Sequence, residues 1–122
     1  MPSASQQTQR EAEAYYRQMA QRGRLVVASA EGLPWVLVTF FVLTGREEIK
    51  RFHHRPLWSC PPDAEEGLLV YVDTLAALAW NRELFRVVER LVATHVPSYR
   101  YAVWFRPSQT GEKRYTWRRR IV

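Results

Sequence analysis

Leu68-Leu69-Val70-Tyr71-Val72, then Asn81-Arg82-Glu83-Leu84-Phe85-Arg86-Val87-Val88-Glu89-Arg90-Leu91-Val92-Ala93-Thr94, then Tyr101-Ala102-Val103-Trp104-Phe105 are the runs that decide the fold. The first and last are short, apolar, and rich in β-branched and aromatic residues, the composition of buried strands. The middle run repeats its apolar residues at helical spacing. Leu84, Phe85, Val88, Leu91 and Val92 share one face, and Arg82, Arg86, Glu89 and Arg90 take the other. Strand, helix and strand over residues 68–106 predict a βαβ unit, two parallel strands bridged by a right-handed crossover.

Upstream, residues 1–9 are rich in Ser and Gln and read as a flexible N-terminal tail. Residues 10–21 read as a helix, with Ala12, Tyr15, Tyr16 and Met19 at three- and four-residue steps and Gly23 where a C-terminal cap would stand. A hairpin follows. Residues 25–30 form one strand, Glu31-Gly32 the turn, and residues 33–43 the second strand. That second strand is apolar on both faces, which predicts cover on both sides. Residues 44–67 are irregular, with a short helix over 46–53. A connection of this length is uncommon in a compact domain and is often functional. Downstream, residues 113–122 read as a last strand, antiparallel to 101–106. Order α-β-β-(irregular)-β-α-β-β predicts an α/β (α+β) domain over 10–122, a mixed β-sheet flanked by helices.

The totals agree with one domain. The chain has 122 residues, 47% of them hydrophobic, and carries five Trp, six Tyr and five Phe, enough for a core. Formal net charge is +6 and the pI about 10.0, which points to an anionic partner such as nucleic acid. Cys60 is the single cysteine, so no internal disulfide forms, and a reducing, cytoplasmic setting is expected. Residues 1–10 are polar, so no secretory leader is expected. The longest apolar run, 33–43, is well short of the ~20 residues a membrane helix needs, so no membrane partner is expected.

Few residues offer chemistry. His53 and His54 are candidate general bases because an unperturbed imidazole titrates near neutrality. Cys60 is a candidate nucleophile, provided a neighbouring base lowers its pKa. One thiol and two adjacent imidazoles are too few for a zinc site, so no metal is expected. His95 stands where it would stabilise a helix C-terminus. Asp73 ends a central strand, where α/β proteins place functional groups, and Asp73-Thr74 is equally a helix-capping pair, the preferred reading. The densest charge lies at the end of the chain: Lys113, Arg114, Arg118, Arg119 and Arg120 against one acid, Glu112. Tyr115 and Trp117 interleave with these bases, and the seven residues are candidates for contacting phosphates and stacking on bases. The same pattern also suits an edge strand guarded by charge.

The element order, with the unit over 68–106, resembles a compact member of the GNAT (GCN5-related N-acetyltransferase) superfamily, of the small kind found in phages and mobile elements. Toxin-activating lysine acyltransferases are a more distant likeness. The resemblance implies a glycine-containing loop after the strand at 68–73, whose amides hold the pyrophosphate of coenzyme A with the following helix N-terminus. Here that stretch is Thr74-Leu75-Ala76-Ala77-Leu78-Ala79-Trp80-Asn81-Arg82, without glycine. Either Thr74 caps one long helix, or Asn81 caps the helix after a loop. In the second case Asn81, Arg82 and Glu83 are the candidate cofactor-binding residues. Two functional classes follow. One is a GNAT-like scaffold without a cofactor, working as a non-catalytic binding or structural module through protein contacts or self-assembly, in a phage virion or host cytoplasm. The other is an N-acyltransferase using coenzyme A or acyl-CoA, with nucleic-acid binding as a second alternative. Whether the chain is an enzyme at all is left open by these residues.

Overall fold

The computed structural model describes residues 3–107, 110 and 113–121. Ser3 opens the first helix. Its hydroxyl accepts from the Gln6 amide at 3.3 Å, and the Gln6 side chain accepts from the Ser3 amide at 3.0 Å, a reciprocal capping box. α1 therefore runs Ala4–Gln21, and residues 4–9, expected as a tail, form its first turns. The Ser3-x-x-Gln6 spacing carried this signal. At the other end Gly23 adopts φ +71°, the left-handed conformation that glycine takes without strain. Its amide bonds Ala20 O at 3.1 Å and that of Arg24 bonds Met19 O at 2.7 Å, which closes the helix.

β1 (Leu25–Ala30) and β2 (Leu33–Leu43) form the expected hairpin. Glu31 and Gly32 adopt φ +53° and +78°, the two-residue turn whose twist matches that of paired strands. A 3-10 turn (Arg46–Glu48) and α2 (Ile49–His53) follow, then β3 (Leu69–Ala77), α3 (Arg82–His95), β4 (Tyr101–Pro107) and β5 (Lys113–Arg119). The five strands lie side by side in chain order. β3 and β4 are parallel and the other three pairings antiparallel, so the sheet is mixed and the fold α+β.

The end of β3 also differs from the sequence reading. β3 does not stop near Asp73 but continues to Ala77, paired with β2 as far as Ala77↔Val36. Asp73 and Thr74 are thus mid-strand residues and not a helix cap. The pairing surface offered by the long β2 outweighs the helix preference of Leu75, Ala76 and Ala77. Asn81 is the cap: its Oδ1 accepts from the Leu84 amide at 3.0 Å.

Each face of the sheet buries its own core. α3 supplies Leu84 and Val92 against Val36, Val38, Phe40, Val42 and Val70. On the opposite face, Tyr15 and Met19 of α1 and Ile49 and Phe52 of α2 pack on Phe41, Leu43, Leu69, Tyr71 and Val103. β2 contributes to both, as its unbroken apolar run requires. No helix among the described residues is long and apolar enough to cross a membrane.

The irregular segment is tied down through one carboxylate. Asp63, with a side chain 3% exposed, accepts from Arg22 Nη2, Arg24 Nε and the Val42 amide, each at 2.7 Å. Gly67 then passes so near β2 that a Cβ there would stand 2.3 Å from Leu43 O. Replacing Asp63 by Ala strands the largely buried guanidinium of Arg24 and an edge amide of β2. Urea unfolding should show a loss of ~3–5 kcal/mol, the usual effect of removing one partner of a buried pair.

Candidate functional site

The site grows out of a single irregularity in β3. Phe40 pairs with Val72 and Thr39 with Thr74, so Asp73 is an extra residue, a bulge. Bulges bend a strand and increase its twist. β3 and β4 pair only from Leu69↔Tyr101 to Val72↔Trp104. Beyond that point β3 stays with β2, while β4 stays with β5 as far as Pro107↔Lys113. The two parallel strands separate at their C-terminal ends, the position where open α/β sheets place ligand sites.

On the α3 side the separation opens into a cleft of about 560 Å³. Val70, Val72, Leu75 and Ala102 form its floor, and Phe85 and Val88 of α3 one wall. The Phe85 ring lies 6.4 Å from that of Trp104, the two planes 21° apart. At the β5 end stand Glu89, Arg118 and Arg120. Glu89 was assigned to the solvent face of the helix by its spacing, yet it is 7% exposed. The reason is the end of β5: Arg118 Nη2 lies 3.6 Å from Glu89 Oε2, and the Ile121 amide donates to Glu89 Oε1. A carboxylate that receives these partners is tolerated inside.

On the opposite side the bulge is closed by charge. The Asp73 carboxylate accepts from Arg55 Nη1 at 2.9 Å and Nη2 at 2.7 Å, and also from the Tyr15 hydroxyl. Since the phenol gives its proton to Asp73, the Thr39 hydroxyl, 2.7 Å away, donates to the Tyr15 oxygen. Arg55 also caps Phe52 O at 3.0 Å and Ser59 O at 3.0 Å, which ties α2 and the irregular segment to the sheet. Burial, reinforced by Asp73, pushes the Tyr15 hydroxyl well above its ordinary value. The same causes raise Tyr71 to about 12. Burial, with Glu89 adding to it, raises Tyr99 to about 12. Of this cluster, Tyr15, Thr39 and Arg55 were missed as site residues. A charge at position 73, inside the apolar run of β3, was the signal that a buried partner had to exist.

The predicted candidates are scattered. His53 lies on the α2 side, its Nδ1 3.0 Å from the Tyr71 hydroxyl and its ring 4.2 Å from that of Phe105. His54 is exposed, with its ring edge-on to that of His53 at 4.8 Å. The Cys60 thiol donates to Tyr15 O at 3.8 Å. Burial pushes its pKa up, against the pull of Arg22 and Arg55, the wrong direction for an activated nucleophile. Among the described residues no three His, Cys, Asp or Glu side chains converge on a common point. Asn81 uses its side chain on the Leu84 amide, one of the donors an anion at that helix end would need, and Arg82 and Glu83 are exposed beside it.

The basic residues of β5 divide between the two faces of the sheet. In register with β4, Tyr115, Trp117 and Arg119 share the face of Phe105, Val103 and Tyr101. Arg114 and Arg118 share the face of Arg106 and Ala102. Trp117 carries the Arg46 guanidinium 4.9 Å from its ring centre, and Arg120 Nη1 bonds Pro97 O at 2.6 Å and Tyr99 O at 3.1 Å. The side chain of Lys113 lies outside the described residues.

The chain matches no protein-family model, no curated protein and no solved structure.

The raised phenols make stability depend on alkaline pH. In the folded chain Tyr15, Tyr71 and Tyr99 hold their protons where an unfolded tyrosine, with a pKa of about 10, releases them. Their contribution is complete below pH 10 and is lost as pH rises through the folded values. The urea-unfolding free energy should therefore fall between pH 10 and 12, and fall less steeply in Tyr71→Phe.

Proposed function

We propose that the protein is a non-catalytic binding module on a GNAT-like scaffold, which holds a small molecule in the cleft between β3 and β4. The observation that carries this reading is the condition of the groups at the cleft. Its volume of about 560 Å³ falls within the range of small-molecule sites, and its floor is apolar. Both carboxylates that border it are already engaged. Asp73 is held by Arg55 and Tyr15, and Glu89 by Arg118 and the Ile121 amide. A general base needs a free lone pair within reach of the proton it removes. The arrangement therefore favours holding a ligand over transforming it. The setting we assign, a phage-encoded protein with a protein partner or self-assembly in the virion or host cytoplasm, rests on the resemblance to small phage GNAT-like proteins.

Acyl-CoA-dependent N-acyltransfer is the second reading. It is favoured by the parting of two parallel strands with a helix N-terminus following the first of them, and opposed by Asn81, which occupies the Leu84 amide. Nucleic-acid binding has less support, because the β5 arginines face both sides of the sheet.

Protein-observed NMR with a set of small apolar and aromatic fragments tests the first reading. Shift changes should cluster at Val70, Val72, Phe85 and Ala102 and should disappear in Ala102→Phe, which fills the floor. Changes scattered over the surface, or none, overturn it. Calorimetric heat with acetyl-CoA, accompanied by acyl transfer to an amine, replaces it with the second reading.

A further inference from the structure

The floor of the cleft is apolar, and arginines stand along its β4–β5 side. From this we infer that its ligand is an aromatic monocarboxylate, lying on the β3–β4 floor with its carboxylate at the arginines of β4 and β5. The inference rests on the cleft being the binding site.

Two sets of observations carry it. The first concerns the body of the ligand. Val72, Leu75 and Ala102 form an apolar floor, and the rings of Phe85 and Trp104, stacked 6.4 Å apart, stand beside it. A flat, rigid, apolar group loses little conformational freedom in such a slot and buries the most surface there.

The second concerns charge. Arg106, Arg118 and Arg120 line the cleft against Asp73 and Glu89. Asp73 is neutralised from the opposite face by the two-pronged bond of Arg55. Glu89 offsets Arg118 across 3.6 Å. The guanidinium of Arg106 has no partner among the described residues, and the Nε–H of Arg118 is buried without an acceptor. The Arg118 guanidinium also lies 5.3 Å over the Phe85 ring, so its charge sits at the aromatic wall and not out in solvent. The Arg118 side chain is 33% exposed and lines the cleft, so the rest of its guanidinium is within reach of an anion there. The planar fork of arginine matches a carboxylate in two-point contact. With Asp73 held by Arg55 and Glu89 by Arg118, the Arg106 charge is the one left for the ligand, and a single carboxylate matches it better than a phosphate dianion.

The test titrates the full chain by NMR with three ligands of matched body: 2-naphthoate, its neutral analogue 2-naphthamide, and 2-naphthyl phosphate. We expect 2-naphthoate to shift the cleft residues and to bind at least ~10-fold more tightly than the amide, the worth of one charge-assisted bond. The advantage should shrink severalfold in Arg106→Gln, an exposed position, and vanish in Arg118→Gln, with folding of both checked by circular dichroism. The phosphate should bind no more tightly than the carboxylate. Equal binding of acid and amide in the cleft overturns the charge inference and leaves the cleft standing. Phosphate binding tenfold tighter overturns the monocarboxylate. An advantage that survives both substitutions shows the anion to be held elsewhere and overturns the assignment. If none of the three moves the cleft resonances, the site itself falls.

Discussion

Asp73 sits one residue out of register between β2 and β3, and its carboxylate is held by both prongs of Arg55 and by the hydroxyl of Tyr15. An ionised carboxylate on a sheet face is costly unless it is paired and hydrogen-bonded, and here both conditions are met. Three parts of the chain meet on it: α1 through Tyr15, the end of α2 and the irregular segment through Arg55, and β2 through the Thr39 hydroxyl behind Tyr15. The bulge that presents this carboxylate is also where β3 and β4 part. One extra residue thus locks the helical layer onto one face of the sheet and opens a cleft on the other.

The two faces divide the protein's polar chemistry. Toward α1 and α2, Asp63 and Asp73 are each bound by arginines, and the tyrosines are buried with their protons retained. Toward α3, the lining is aliphatic and aromatic, and Arg106, Arg118 and Arg120 border it against Asp73 and Glu89. Charge near an apolar cleft orients a ligand, whereas charge consumed in internal pairs orients the protein itself. The binding reading we propose rests on this division, since both carboxylates at the cleft, Asp73 and Glu89, are engaged.

The residues singled out in the sequence show why chemistry was harder to read than architecture. His53, His54 and Cys60 drew notice by type, yet they stand in separate surroundings, His53 against Tyr71 and Phe105 and Cys60 beneath the backbone of Tyr15. The basic run at the end of the chain looked like one surface. Strand alternation sends neighbouring arginines to opposite faces, so the run is two half-patches. Glu89 looked solvent-facing because helical spacing records only the helix, and not the end of a strand arriving from 32 residues further along the chain.

By itself the sequence determined the α1 periodicity, the Glu31-Gly32 hairpin, the double-sided burial of β2, the amphipathic α3 and the mixed character of the sheet. These depend on side-chain period and turn conformation, which are properties of neighbouring residues. The tertiary structure alone decided that β3 continues through Leu75, Ala76 and Ala77, that Asp73 is a bulge held by Arg55 and Tyr15, and that Glu89 is buried. Each of these is a competition between partners 18 to 58 residues apart in the chain. Local preference cannot rank such partners, because their free energies come from desolvation and from hydrogen bonds that exist only once the sheet has formed.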